Sequence, residues 1–238
     1  MVQERQLLQV WERAYASSSV ERVVHLSALA CPALSVEEIL DLPIGVRDGR
    51  LIALRQSLFG DQVESTVTCS ACSSKLELSF DLTPMTEAAR AVSDTTFTSN
   101  WKSSTVMLRC PTTRDVLLID RTDADSAPNL IRQCIIDCAD DIALDCVQDE
   151  SFRRAFTESI QQRDPLGLIE FNMTCSECRA AFTTVFDISR FLWTELDAWC
   201  RKLMTDIHSL ARAYGWTESE VLNLGPWRRQ VYLNMVRQ

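Results

Sequence analysis

The sequence predicts an α+β fold that is mostly helical, with two β knuckles and a mixed α/β insert between them. Three observations predict it. Thr-Cys-Ser-x-Cys occurs twice, at Thr68–Cys72 and Thr174–Cys178, each time between alternating, β-branched residues, as a strand–turn–strand unit reads. Each copy then runs to the same ending, Phe80-Asp81-Leu82 in the first and Phe186-Asp187-Ile188 in the second. Outside these copies, apolar residues recur at steps of three or four, with capping boxes and Gly or Pro at the breaks.

Taken in order, Gln3 to Tyr15 carries Leu7, Leu8, Val10, Trp11 and Ala14 near helical spacing. Ser17-Ser18-Ser19 breaks that pattern and caps a second helix, Val20 to Leu29, which ends at Cys31-Pro32. Ser35-Val36-Glu37-Glu38 has capping-box spacing and starts a short helix through Leu42. Pro43-Ile44-Gly45 turns the chain into an amphipathic helix, Arg47 to Phe59, with Arg50 and Arg55 between its leucines and Gly60 as its stop. The first cysteine knuckle comes next.

Residues 83–100 are polar and read as a connector holding a strand or a short helix. Thr105–Cys110 and Val116–Asp120 flank Pro111–Asp115, which reads either as a β-hairpin or as a strand followed by a short helix. A helix is expected over Asn129–Asp140, and another from Asp149 or Ser151 to just before Asp164-Pro165. After the second knuckle comes the longest helix, Ser189 to Tyr214, with Leu192, Leu196, Trp199, Leu203, Ile207, Leu210 and Tyr214 on one stripe. Asp197, Arg201, Lys202, Asp206 and Arg212 occupy much of its other side. Gly215 stops it, Thr217–Glu220 is another capping box, and Pro226 launches a last helix, Trp227 to Val236.

The expected division is therefore a helical lobe at 1–60, a first knuckle at 61–82, an inserted α+β subdomain at 83–168, a second knuckle at 169–188 and C-terminal helices at 189–238.

A single Cys-x-x-Cys turn aims two thiolates at one point but cannot fill the tetrahedral shell of a zinc ion. Two matching turns can. Cys69, Cys72, Cys175 and Cys178 are thus expected to form a split zinc ribbon with four cysteine ligands, although 102 residues separate Cys72 from Cys175. With all four positions taken, the metal is structural rather than catalytic. A dithiol oxidoreductase would instead need one such turn opening a helix, whereas both turns here lead into strand-like residues. The remaining alternative is four unpaired buried cysteines. The position after each second cysteine, where a positive φ is wanted, unusually holds Ser73 or Arg179 rather than Gly.

The 238 residues are 46% hydrophobic and 24% charged, an ordinary globular composition, with no apolar run long enough to span a membrane. Met1–Gln6 lacks the apolar core of a signal peptide, so the ten cysteines are expected as cytoplasmic thiols or metal ligands. The net charge of −9 disfavours a nucleic-acid-binding zinc-ribbon regulator, because phosphate neutralisation supplies most nucleic-acid affinity. Cys31, Cys110, Cys134, Cys138, Cys146 and Cys200 read as small core residues, with Cys134 and Cys138 on one helix. His25 and His208 sit on helices without catalytic partners, Asp140-Asp141 reads as a solvated helix end, and no nucleophile, phosphate or dinucleotide motif is present. An enzyme is not expected. Trp216, Trp227, Arg228, Arg229 and Tyr232 form an aromatic–arginine cluster of the composition enriched in partner contacts.

Several runs together also resemble a known family. They are Leu42-Pro43-Ile44-Gly45-Val46-Arg47-Asp48-Gly49-Arg50-Leu51 leading through Phe59-Gly60 to the first knuckle, Asp164-Pro165 leading to the second, Phe186–Leu196, and Ile207–Trp216 with Leu224, Arg228-Arg229 and Tyr232-Leu233. Over nearly the whole chain they resemble the zinc-ribbon proteins encoded with contractile phage-tail-like injection systems, relatives of the T-even-type phage baseplate hub assembly chaperones. The resemblance implies a non-enzymatic baseplate component or hub assembly chaperone. Its partners would be hub, spike and other baseplate proteins, with no nucleic acid and no membrane, in the cytoplasm or in the assembled particle.

Overall fold

Helix capping and apolar spacing account for the first half of the chain. The computed structural model describes residues 3–90, 94–119, 125–138 and 143–236. Helix α1 spans Glu4–Tyr15 and α2 spans Ser19–Ala30. Ser18 caps α2 reciprocally: the Glu21 N–H donates to Ser18 Oγ at 3.4 Å, and the Ser18 N–H donates to the Glu21 carboxylate at 2.7 Å. Ser35 and Glu38 do the same for α3 (Val36–Leu40). Helix α4 (Ile44–Phe59) stops at Gly60, whose φ of 86° only glycine takes readily.

The chain then forms strands β1 (Gln62–Thr68) and β2 (Lys75–Asp81), an antiparallel hairpin in register from Gln62↔Asp81 to Thr68↔Lys75. Helix α5 (Thr83–Arg90) leads to β3 (Thr96–Trp101) and β4 (Ser104–Arg109), followed by the short α6 (Thr113–Leu117). The strand-then-helix reading of 105–120 therefore holds, and the hairpin partner of β4 is β3.

The helix expected over Asn129–Asp140 is cut short. Helix α7 (Ser126–Gln133) ends at Cys134, and Ile135–Asp137 becomes β5, an edge strand on β4. Arg109 is the cause: its backbone N–H donates to the Cys134 carbonyl at 2.9 Å and its guanidinium to the Gln133 carbonyl at 2.8 Å. With its last carbonyls taken by β4, the helix gives way to β-branched Ile135-Ile136, which suit a strand. Cys134 and Cys138 consequently do not share a helix. Asp120 and the Asp140-Asp141 pair lie outside the described residues. Helices α8 (Ala143–Gln148) and α9 (Glu150–Arg163) follow, α9 capped by Asp149 as its sequence predicts.

Strands β6 (Ile169–Thr174) and β7 (Ala181–Phe186) make the second hairpin, and α10 (Ile188–Tyr214), α11 (Glu218–Leu222) and α12 (Pro226–Val236) complete the chain. The fold is α+β, with a four-cysteine cluster between two strand pairs.

The larger apolar cluster joins α1, α2, α4 and α10 through Leu7, Leu26, Leu51, Ile52, Leu192 and Leu196. A second cluster, around Phe97, Val106, Leu108, Ile131 and Phe152, lies within 97–156. Polar links join the two: the Ile44 N–H donates to the Pro111 carbonyl at 2.9 Å, and Arg47 donates to Thr113 Oγ1 at 2.7 Å.

Two polar residues fall on the inside, against expectation. Arg55 of α4 is 3% exposed, because Glu195 on α10 takes its guanidinium in a two-pronged pair at 2.7 and 2.9 Å and the Gly60 carbonyl accepts a third bond. Asp206 of α10, expected on the polar face, is buried under α12 close to Arg229. Among the described residues, no helix is long and apolar enough to cross a membrane.

Candidate metal centre

Each Thr-Cys-Ser-x-Cys turn folds by the same backbone bonds. The Ser73 N–H donates to the Cys69 carbonyl at 2.9 Å and the Cys69 N–H to the Ser74 carbonyl at 2.9 Å. In the second turn the Arg179 N–H donates to the Cys175 carbonyl at 3.0 Å and the Cys175 N–H to the Ala180 carbonyl at 3.0 Å. Both turns need the residue after the second cysteine in the left-handed region, and Ser73 and Arg179 stand there at φ 60° and 61°. An L side chain in that region costs about 1–2 kcal/mol. Ser73→Gly and Arg179→Gly should therefore each raise stability by roughly 0.5–1 kcal/mol in thermal or urea unfolding, the gain being trimmed by glycine's freer unfolded chain. A loss of stability in both variants would show that the turns are built on something else.

The two hairpins face each other. Along all four strands half-buried residues alternate with exposed ones, so only one face of each hairpin is covered. At the base, Phe80 of β2 meets Phe171 at 4.7 Å and Phe186 at 5.0 Å between ring centres. The equivalent Asp81 and Asp187 then cap the helices that come after the hairpins: Asp81 accepts the Thr83 N–H at 2.7 Å, and Asp187 accepts the Arg190 N–H at 3.1 Å. The shared Phe-Asp-Leu/Ile ending is thus a strand end, a helix cap and a buried anchor, Leu82 and Ile188 both being fully buried.

At the other end of the hairpins the four cysteines meet. Cys69 Sγ lies 3.7 Å from Cys178 Sγ, and Cys72 Sγ lies 3.7 Å from Cys175 Sγ, each pair crossing from one turn to the other. All four sulfurs lie within 4.8 Å of one another. Disulfides, at about 2.05 Å, are excluded by these separations. A tetrahedral ion with metal–sulfur bonds of about 2.3 Å requires sulfurs about 3.8 Å apart. The cluster therefore has the dimensions of a four-thiolate metal site, with its ligands presented by the two backbone turns.

Cys69 and Cys175 are buried while Cys72 and Cys178 are exposed, which places the site at the tip of the paired hairpins. Ser74, through its hydroxyl and then its N–H, draws the Cys72 thiol down to about 6. Cys178 moves the other way, to about 12: the Ala180 N–H favours its thiolate, but the bonds with Cys72, Cys175 and Cys69 outweigh it and keep its proton in place. Four thiolates this close repel one another, and a divalent cation removes that conflict. Soft sulfur donors in tetrahedral array suit zinc above magnesium or calcium. Among the described residues this is the sole group of three or more Cys, His, Asp or Glu side chains with metal-binding geometry, so the remaining cysteines form no second cluster. Cys31, Cys110, Cys134, Cys146 and Cys200 are buried, and burial holds the Cys110, Cys134 and Cys200 thiols near 12.

The aromatic–arginine cluster is brought together only in part. Trp216 stacks on Tyr214 at 4.7 Å and meets Tyr232 edge-on at 4.9 Å. Arg229 is 6% exposed and grips Glu4 of α1 with two bonds at 2.6 and 2.7 Å, while Trp227 is 78% exposed and Arg228 also faces solvent. His208 is exposed on α10 and His25 is half-buried on α2.

One structural site has no motif of its own. The Gly45 N–H, in the first turn of α4, donates to the Asp164 carboxylate at 2.8 Å across 119 residues. Its only sequence signals are the Pro43-Ile44-Gly45 turn and the Asp164-Pro165 pair, and neither points to the other.

No curated protein and no solved structure matches the chain. The family described as T4 bacteriophage base plate protein matches residues 1–193, a span that takes in both cysteine turns, the Gly45–Asp164 link and the start of α10. With four-fifths of its length inside that match, the chain belongs to the T4 bacteriophage base plate protein family.

Proposed function

We propose that this baseplate protein is a non-enzymatic component or hub assembly chaperone of a contractile, phage-tail-like injection system. In this reading a structural zinc ion held by Cys69, Cys72, Cys175 and Cys178 sets the frame, and helical surfaces bind hub, spike or neighbouring baseplate proteins. The family match over residues 1–193 carries it. The site chemistry agrees, because a shell filled by four thiolates leaves no position for substrate or water. On the C-terminal helices, Trp227 and Arg228 would contact the partner. Trp216, Arg229 and Tyr232, held by Tyr214 and Glu4, would keep α12 in place beneath them. Trp and Arg are among the residue types most enriched where binding energy concentrates.

The test is co-expression of the tagged chain with the hub, spike and baseplate proteins encoded beside it. At least one should co-purify stoichiometrically, and Trp227→Ala with Arg228→Ala should weaken that complex about tenfold or more, roughly 1.4 kcal/mol or above. Recovery of the chain from finished particles would make it a component, and its absence from them a chaperone. If none of those tail proteins associates with it, the reading is wrong.

A further inference from the structure

A large cavity lies away from the cysteines, where α2, α4, α10 and the base of the second hairpin meet. It is an open cleft of about 600 Å³, within the size range of sites that take small ligands or a few peptide side chains. Its apolar lining is Val20, Val23, Ile44, Val116 and Trp193, together with Leu168 and Val185. Leu168 and Val185 are 44% and 57% exposed, a high figure for aliphatic side chains bordering one cleft.

The charged residues of the cleft are three arginines and two aspartates, and they are not used alike. Arg47 is engaged by Asp48, at 2.7 Å, and by Thr113. Asp187 is engaged in capping α10, accepting from Ser189 Oγ at 2.6 Å and the Arg190 N–H at 3.1 Å. Arg22 packs over the Trp193 ring at 4.8 Å and donates to the carbonyls of Ala14 and Tyr15, with the Asp197 carboxylate, itself bound by Arg201 and Trp11, in electrostatic reach. The exposed Arg190 guanidinium has no partner among the described residues. The first turns of α2, α4 and α10 also line the cleft, and each is already capped by a carboxylate, from Glu21, Asp164 and Asp187 respectively. In a chain of net charge −9, Arg190 thus presents an uncompensated positive charge at the rim of this cleft, with Arg22 beside it.

We infer that the cleft binds a segment of a partner tail protein that presents an apolar side chain next to a carboxylate. The apolar group fills the space between Val20, Ile44 and Trp193, and the carboxylate pairs with Arg190 and Arg22 at the rim. The inference rests on the reading that the chain binds other tail proteins, and adds a second contact surface, separate from Trp227 and Arg228, and what it selects. Apolar walls argue against a phosphate backbone as occupant, since a nucleic-acid strand would leave them uncovered.

The test starts from whichever tail protein co-purifies with the full chain. Overlapping synthetic peptides tiling that protein are titrated against the chain by fluorescence anisotropy. At least one peptide should bind, and it should hold Asp or Glu beside an apolar residue. Replacing that acid by its amide, or making Arg190→Glu in the chain, should each weaken binding about tenfold, roughly 1.4 kcal/mol. Leu168→Asp should weaken it as well. Both positions are exposed, so unchanged melting temperatures will show that the variants are folded. If the intact tail protein co-purifies but no peptide binds, or if Arg190→Glu and Leu168→Asp leave the dissociation constant unchanged, the cleft assignment is overturned while the baseplate reading stands. If no tail protein co-purifies, both fall.

Discussion

Purified chain should carry one zinc ion per polypeptide, and Cys175→Ser should lose it together with much of the chain's stability. The expected effect is large because the cluster links parts of the chain 103 to 109 residues apart, from Cys72 to Cys175 and from Cys69 to Cys178. Free zinc-finger peptides gain on the order of 10 kcal/mol or more from the metal at neutral pH, because the unfolded chain has no preformed site. This chain also has two sizeable apolar clusters of its own, so only part of that amount should appear in unfolding. A loss of several kcal/mol corresponds to a fall of about 10 °C or more in melting temperature for a protein of this size. Elemental analysis beside differential scanning calorimetry measures both quantities. Ser176→Ala, an exposed change in the same turn, is the control and should alter neither. Stoichiometric zinc retained in Cys175→Ser, or an unchanged melting temperature, would show that the metal does not hold the two turns together.

Gly45→Ala should be strongly destabilising although it touches no cysteine. A Cβ at this position would lie 2.2 Å from Asp164 Oδ1 and 2.6 Å from the backbone nitrogen of Gly167. The second neighbour is main chain, itself held by the bond from the Gly167 N–H to the Asp164 carbonyl at 2.8 Å, so it cannot swing aside. Relief requires the 164–167 turn to move off α4, and that breaks the bond from the Gly45 N–H to the Asp164 carboxylate. Overpacking of this kind costs about 1–3 kcal/mol, and losing a helix cap adds about 1 kcal/mol. The sum, roughly 3 kcal/mol, should lower the melting temperature by about 6–12 °C. Gly225→Ala is the matched control, since no atom lies within 4 Å of its added Cβ. Equal melting temperatures for the two variants would mean that the 164–167 turn yields freely.

The Asp164 carboxyl is almost fully buried, and burial raises its proton affinity against the opposing pull of the Gly45 N–H and Arg47. A buried acid is kept there by position: it closes the first turn of α4 with a residue that closely precedes the second hairpin. The Gly45–Asp164 bond and the cysteine cluster thus join the same two distant parts of the chain, one near the base of the hairpins and one at their tip.

The local elements are legible in the sequence because their causes are local. Reciprocal capping at Ser35/Glu38 and Thr217/Glu220 needs only four consecutive residues, and both pairs form as the spacing predicts, while the serine run before α2 caps it through Ser18. The α10 stripe of Leu192, Leu196, Leu203 and Leu210 is buried for the same reason. The cysteine cluster is legible across a long gap because zinc's need for four ligands turns two half-sites into one prediction. Where the structure departs from the sequence pattern, the deciding partner is remote. Arg55 has the pattern of a surface residue because Glu195, which neutralises it, is 140 residues away. The end of α7 depends on Arg109 in another strand. Of the aromatic–arginine cluster, Arg229 turns inward because Glu4, at the far end of the chain, is there to receive it.

By itself, then, the amino-acid order determined the α+β class, the helix limits set by caps and glycines, and the four thiols that converge. Those follow from rules acting over a few residues or from a coordination number. Only the tertiary structure decided that Gly45 must meet Asp164, which arginines are neutralised, and that Arg22, Arg190 and three helix starts surround one apolar cleft. Such features are made by groups far apart along the chain, and their energies arise only once packing has brought the groups together and excluded water between them.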